Sequence, residues 1–268
     1  MATTTLDGIT FGFEDTRDGT GLPVVLVHGT PFDRTMWRPQ LELLRARDRR
    51  VITPDLRGYG ESDVVSDITY LSDFAQDIAR LLDHLDVDRI VLGGLSMGGQ
   101  IVMDFYRQFP DRVRGLLLAD TFAAAETPEG RKHRNAVADR LLREGSGPLA
   151  QELLPKMVSP ANIAAQPDVA RHVLDMMIGA NPAGQAAAQR GRAERPDYIP
   201  LLSEISVPTL VVVGRDDEFT PVSDAELLHE RIPDATLVVI EDAAHMPNLE
   251  QTPAFDAALT AFLDSLVD

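Results

Sequence analysis

Three residue types set far apart in this chain could together activate a hydroxyl: Ser96, His245, and a carboxylate within the cluster Asp216, Asp217 and Glu218. A serine hydroxyl is a weak nucleophile near neutral pH. It needs a base to take its proton, and the base needs a carboxylate to hold its ring and balance the imidazolium charge. The chemistry open to such a set is acyl transfer, with attack on a carbonyl, a transient oxyanion and departure of a leaving group.

The nucleophile reading rests on context. Arg89–Gln100 reads RIVLGGLSMGGQ: the apolar run Ile90 to Leu92, then Gly94-Leu95-Ser96-Met97-Gly98, then Ile101, Val102, Phe105 and Phe109 at helical spacing. This is G-x-S-x-G between a strand and a helix, the setting of a nucleophile elbow. It predicts a strained turn that projects the Ser96 hydroxyl at the carboxyl edge of a parallel sheet. Gly94 and Gly98 fit because a side chain there would collide with the strand or helix crossing it. The first free N–H groups of the helix would then point to the space above Ser96, where negative charge develops.

His245 lies in Glu241-Asp242-Ala243-Ala244-His245-Met246-Pro247-Asn248, after the last expected strand. His84, His133, His172 and His229 sit in helical stretches, where packing or solvated roles are usual. His28 follows a buried strand and is read as structural, holding the loop that carries Thr30. For the acid, Gly214–Pro221 (GRDDEFTP) offers three carboxylates after one strand. Asp217 is favoured. Asp216 and Glu218 are its neighbours, and Asp120 is a separate rival because it also ends a core strand.

Positioning these residues takes an alternating set of strands and helices. Thr3 to Thr16 reads as two strands turning at Asp7-Gly8, with Phe11 and Phe13 alternating in a half-buried pattern. Strands are expected at 23–27, 50–53, 90–92, 113–119, 208–214 and 236–240, as short apolar runs buried on both faces of a parallel sheet. Amphipathic helices are expected at 37–47, 70–85, 222–232 and 255–266. Thr220-Pro221 and Thr252-Pro253 read as N-caps followed by proline at the first helical position. Between 120 and 207 only helical segments appear: 129–144, 148–157, 168–178 and 183–193. The pattern is a doubly wound, mostly parallel α/β sheet with a helical cap inserted between core strands. Active sites of such sheets lie at the carboxyl ends of the strands, where all the candidates fall.

Composition sets further bounds. The 268 residues are 44% hydrophobic, enough for one α/β domain with an insertion. Absence of cysteine excludes disulfides and thiolate metal sites. The start, MATTTLDGITFG, lacks the basic and apolar parts of a signal peptide, and no apolar run approaches a membrane span. A cytoplasmic protein with no membrane partner is expected. A net charge of −17 argues against nucleic acid. Residues 123–206 hold ten acidic and ten basic side chains, so the rest carries the whole excess. This shift marks 123–206 as the helical cap on a core of 1–122 and 207–268. The cap's basic residues, Arg131-Lys132-His133-Arg134, Arg190, Arg192 and Arg195, read first as solvated faces. The sharper alternative is one arginine facing the cleft to pair with a substrate carboxylate. Of the cap's apolar residues, Leu153, Leu154, Met157, Val158, Met176, Met177 and Ile178 are expected mainly to pack cap on core.

The elbow GLSMGG, the loop HGTP, the segment DLRGYGES, the acid loop GRDDEFTP and the histidine loop AAHMPNLEQTPAF occur in that order along the chain. In type and order they resemble an α/β-hydrolase over essentially the whole sequence. The likeness is to the group of small bacterial carboxylesterases, cofactor-free haloperoxidases (perhydrolases) and enol-lactonases. The resemblance implies that the backbone N–H groups of Thr30 and Met97 form the oxyanion hole. Thr30 departs from the bulkier apolar residue common there, which bears on the acyl pocket and not on the backbone role.

The expectation is thus a serine hydrolase of a small-molecule carboxylic ester or lactone, with Ser96, Asp217 and His245 as triad and no metal or organic cofactor. The same triad serves the alternative of a perhydrolase or acyltransferase. A ligand-binding protein with a vestigial triad is the rival outside catalysis. Haloalkane dehalogenation needs a carboxylate where Ser96 stands, and Gly93–Gly99 lacks the Lys-Ser/Thr ending of a phosphate loop. Oligomeric state and substrate are left open.

Overall fold

The computed structural model describes residues 2–65 and 67–266. The chain opens with a hairpin of β1 (Ala2–Leu6) and β2 (Ile9–Asp15). The turn falls at Asp7 and Gly8, both with positive φ, as the dipeptide predicted. Phe11, Gly12 and Phe13 are all buried, so this strand does not alternate. Loop 55–62 covers its outer face: Glu61 and Asp55 crowd Gly12, whose N–H donates to Ser62 Oγ at 3.0 Å.

There follow β3 (Val24–Val27), α1 (Arg38–Ala46), β4 (Val51–Pro54), α2 (Leu71–His84), β5 (Ile90–Leu95), α3 (Met97–Gln108) and β6 (Val113–Ala119). Six helices come next: α4 (Pro128–Glu144), α5 (Ser146–Met157), α6 (Pro160–Ala165), α7 (Pro167–Gly179), α8 (Pro182–Ala193) and α9 (Ile199–Leu202). The chain closes with β7 (Thr209–Gly214), α10 (Val222–Arg231), β8 (Ala235–Ile240), α11 (Pro247–Glu250) and α12 (Thr252–Ser265).

One sheet holds all eight strands in the order β1-β2-β4-β3-β5-β6-β7-β8. The β1–β2 and β2–β4 pairings are antiparallel and the rest are parallel. The parallel strands from β3 to β7 are buried along nearly their whole length, which explains their continuous apolar runs. Residues of α2, α3 and α10 pack on one face, and Trp37, α1 and α12 on the other. The chain passes from β3 to β4 on one side, then returns to β5 on the other. The carboxyl ends of β3 and β5 therefore flank a topological switch point, where α/β sheets place their ligands.

The helices from α5 to α8 reach that end of the sheet. Arg192 bonds Gln100, His172 bonds Thr35, Asn162 bonds Asp242 and Glu250, and Lys156 pairs with Glu218. Met157, Val158, Met176 and Met177 are buried in one cluster with Trp37 and Met246, whereas Ile178 is exposed. Among the described residues no helix is long and apolar enough to cross a membrane.

Two capping expectations fail in the same way. α10 begins after Pro221 with no side-chain cap, because the Thr220 hydroxyl donates instead to Asp217. In α12 Thr252 is the first helical residue, and its hydroxyl bonds the carbonyls of Asn248 and Leu249. The sequence pattern also missed α6, α9 and α11, which are too short to display a helical period.

Candidate active site

β5 ends at Leu95, and Ser96 turns the chain into α3 with φ 59° and ψ −117°. Few L-residues occupy that region, so the surroundings must hold it there. The Ser96 N–H donates to Ala119 O at 2.9 Å, and its carbonyl accepts from Thr121 Oγ1 at 2.7 Å and Gln100 N at 3.2 Å. A Cβ on Gly94 would lie 2.4 Å from the backbone of Gly98, and one on Gly98 would lie 2.3 Å from Val27 O. The crossing of β5, α3 and β3 thus requires glycine at both positions through close approach.

The loop after β3 lies against this turn, since a Cβ on Gly29 would sit 3.1 Å from Ser96 Cβ. His28 fixes the loop. Its Nδ1–H donates to Gly29 O at 2.7 Å and its Nε2 accepts from Leu56 N at 2.9 Å. Both ring nitrogens are engaged in a fully buried setting, and burial holds the ring below its usual pKa, hence neutral. This matches the structural role expected for it. Thr30 follows, its Oγ1 bonded to Tyr59 OH at 2.7 Å. Burial pushes the Tyr59 phenol up to about 12, against the Thr30 hydrogen bond and the charge of Arg192. The backbone N–H groups of Thr30 and Met97 find no acceptor among the described residues.

β7 and β8 bring the other two groups together. His245 Nδ1 lies 2.7 Å from Asp217 Oδ2, with both side chains buried. Asp217 also accepts from Phe219 N at 2.8 Å, Thr220 N at 3.2 Å and the Thr220 hydroxyl. Burial alone would raise its carboxyl. The His245 charge and these hydrogen bonds outweigh burial and hold it below the usual range. Asp216 and Glu218 are exposed, and Glu218 pairs with Lys156 at 3.1 Å. Among the described residues no hydrogen bond joins Ser96 Oγ to His245. Contacts of this kind often close only in the substrate complex.

Asp120, the rival acid, is buried beside Asp217. Its Oδ1 accepts from Gly214 N at 2.9 Å, and its Oδ2 has no donor. Burial, then the Asp217 charge, push it well above the usual carboxylate range. Of the two carboxyls, Asp120 is thus the one whose surroundings favour the protonated form. Ligand-type atoms of Asp120, Asp217 and His245 lie within 4.8 Å of one another, a spacing a cation could use. The Asp217–His245 bond and the burial of Asp120 beside it account for the same closeness.

Sequence reasoning missed Glu250, which is 2% exposed. Its Oε1 accepts from Ala244 N at 2.8 Å and Met246 N at 3.3 Å. Its Oε2 accepts from Ser159 N and Asn162 Nδ2, both at 2.8 Å. The only signal in the sequence is a glutamate in an otherwise apolar and amide-rich stretch, MPNLEQTPAF. A cleft of about 660 Å³ lined by Thr20, Leu22, Arg49 and Asp264 lies at the amino ends of the strands, away from this chemistry.

The comparisons with known proteins follow the same lines. The chain is 31% identical over 229 residues to 3-oxoadipate enol-lactonase 2 of Acinetobacter baylyi, covering 85% of this chain and 84% of that one. Its structure matches a thermophilic esterase from Thermogutta terrifontis, solved with malate bound, at a TM-score of 0.93. Identity is 45%, and coverage is 98% of this chain and 96% of that one. It matches the enol-lactonase from Burkholderia xenovorans LB400 at a TM-score of 0.91 and 26% identity, covering 98% of this chain and all of that one. With the family profile described as alpha/beta hydrolase fold matching residues 23–252, this chain belongs to the alpha/beta hydrolase family.

Proposed function

We propose that the protein hydrolyses a small-molecule carboxylic ester or lactone through an acyl-enzyme on Ser96, beneath a cap formed by residues 123–206. The observation that carries this reading is the buried Asp217–His245 bond at the carboxyl end of a sheet whose β5 ends in the strained Ser96 turn. With Nδ1 committed to Asp217, the free Nε2 of His245 is the atom that takes a proton. The esterase and enol-lactonase likenesses support the same substrate class.

In this reading Ser96 Oγ attacks the ester carbonyl and its proton passes to His245 Nε2. The carbonyl oxygen becomes an oxyanion held by the N–H groups of Thr30 and Met97, which need no reorganisation at that moment. Collapse breaks the acyl–oxygen bond, and His245 returns the proton to the leaving alcohol. Water, deprotonated by His245, then attacks the acyl-enzyme and releases the acid and Ser96. Asp217 holds the ring and stabilises the imidazolium throughout. The reaction draws on no cofactor.

The test is covalent labelling. A fluorophosphonate should add one adduct to Ser96, found by peptide mass spectrometry, and Ser96→Ala should take none and lose turnover on the order of 10⁶-fold. A p-nitrophenyl ester should show a burst equal to the enzyme concentration when deacylation is slow. Labelling elsewhere, or Ser96→Ala activity within tenfold of the parent, would overturn the assignment. Adding alcohols or peroxide as competing acceptors separates hydrolysis from acyl transfer.

A further inference from the structure

The charged groups of the helical layer are unequally satisfied. Arg131 pairs with Glu194 at 2.9 Å, Arg190 with Asp139 at 3.1 Å, and Arg134 and Arg195 share Glu126. Two guanidinium groups hold Glu126 against the effect of its own burial, drawing its carboxyl down to about 2. Arg192, in the last turn of α8, has no carboxylate among the described residues. It is only 7% exposed, and its one side-chain hydrogen bond is Nε–H to Gln100 Oε1 at 3.1 Å. Both Nη groups are without an acceptor among the described residues.

The surroundings of Arg192 repeat the deficit. Gln100 is fully buried and its Nε2 also lacks an acceptor. Burial first, then Arg134 and Arg195, work against the Arg192 charge. A guanidinium nonetheless stays protonated in proteins. The result is a buried cation among cations: the nearby carboxylate, Glu126, is paired with Arg134 and Arg195 and not with Arg192. An uncompensated buried charge is costly, and an anion that arrives with the ligand relieves it.

The position is beside the chemistry. Gln100 follows Ser96 by four residues on one face of α3, so its side chain lies over the turn that begins at the nucleophile. The Tyr59 phenol, bonded to Thr30 Oγ1, feels the Arg192 charge. Arg192 thus reaches, through Gln100, the first turn of the helix that begins at Ser96, and its charge acts on the phenol that holds Thr30.

We propose that Arg192 anchors a free carboxylate of the substrate, so that the preferred ester or lactone carries a second, unesterified acid group. The proposal rests on the ester-hydrolase reading above. The guanidinium fork binds a carboxylate bidentately, fixing orientation as well as affinity. It also gives an anionic substrate a local attraction within a chain of net charge −17, whose overall field repels it.

The test uses two esters with one leaving group: the p-nitrophenyl ester of glutaric acid with its second carboxyl free, and the same ester methyl-capped. Ionic strength is held fixed. The parent enzyme should favour the free acid in kcat/KM by about tenfold or more, the range of a charge-assisted hydrogen bond. Arg192→Met should bring that ratio to near one or below, and Arg192→Lys should keep part of it. Equal or better parent activity on the capped ester would overturn the proposal, as would an unchanged ratio in Arg192→Met. If Arg192→Met fails to melt cooperatively, inhibition of the parent decides: glutarate should compete with the capped ester and glutaramide should not. Equal inhibition by both, or by neither, would overturn the proposal. Absence of turnover on both esters would sink the hydrolase reading instead. Titration of glutarate into Ser96→Ala would then still show binding if the anchor exists, and none if it does not.

Discussion

Glu250 grips the peptide on both sides of His245: one carboxylate oxygen accepts from Ala244 N at 2.8 Å and Met246 N at 3.3 Å. Its other oxygen holds Ser159 N and Asn162 Nδ2 in the helical layer. The loop bearing the base and the layer above it therefore share one buried anchor. Glu250→Gln cannot reproduce it, because an amide offers one acceptor oxygen and presents N–H to N–H. Hydrogen bonds to a charged group contribute about 1.5–3 kcal/mol, so the melting temperature should fall. The kcat should fall about tenfold to a hundredfold, since small misplacements of a base are costly. A lower melting temperature with unchanged kcat would show that Glu250 supports the fold and not His245.

Asp217→Asn should lower kcat by about 10⁴-fold, because an amide cannot stabilise the imidazolium and favours the wrong ring tautomer. Asp216→Asn and Glu218→Gln, both at exposed side chains, should stay within a few-fold of the parent. Steady-state kinetics of the three variants on one ester ranks them. A larger loss at Asp216 or Glu218 would move the acid assignment.

Asp120 gives a pH signature in stability. Its folded-state pKa is raised, by burial first and the Asp217 charge second. Between its unfolded pKa, about 4, and the raised native value, the folded state holds a proton that the unfolded state has lost. Its contribution is therefore complete below about pH 4 and is lost as pH rises. Asp120→Asn removes this dependence, so the variant should gain on the parent as pH rises above about 4. Urea melts across that range check the sign. A variant that loses ground as pH rises would mean that Asp120 is ionised in the fold.

The fold was legible because its information is local and periodic. Apolar runs such as Val24–Val27 and Thr209–Gly214 encode doubly buried strands, and Leu71, Phe74, Ile78 and Leu82 encode one helical face. Ser96, His245 and Asp217 could be singled out as candidates because each falls in a loop after a strand, and the Asp217–His245 bond joins two of them. Glu250 was not singled out, and Arg192 was only one of several candidate arginines, for one reason in both cases. Each acts through partners distant in sequence, Ser159 for one and Gln100 for the other, and no local pattern tells a buried carboxylate or guanidinium from a solvated one. Thr220 misled for the same reason: Thr-Pro looks like a cap until the Asp217 carboxylate claims the hydroxyl.

Gly98→Ala tests whether the crossing of α3 over β3 sets the spacing of the oxyanion donors. The added Cβ would meet Val27 O at 2.3 Å and His28 O at 2.8 Å, both backbone atoms that no side-chain rotation relieves. Either α3 or the end of β3 must move. Met97 begins the first, and Thr30 follows the second by three residues. The distance between their N–H groups then changes by a few tenths of an ångström or more, where a shift of about 1 Å can cost a hundredfold in rate. Overpacking should also lower stability by about 1–3 kcal/mol. Gly179→Ala is the control, at a helix end with nothing within 4 Å of the new Cβ, and it should be neutral or slightly stabilising. The diagnostic quantity is kcat in the population that remains folded, with fluorophosphonate labelling of Ser96 measured alongside. A folded Gly98→Ala enzyme with parental kcat would show that the two donors tolerate displacement, and the oxyanion assignment of Thr30 and Met97 would have to be given up.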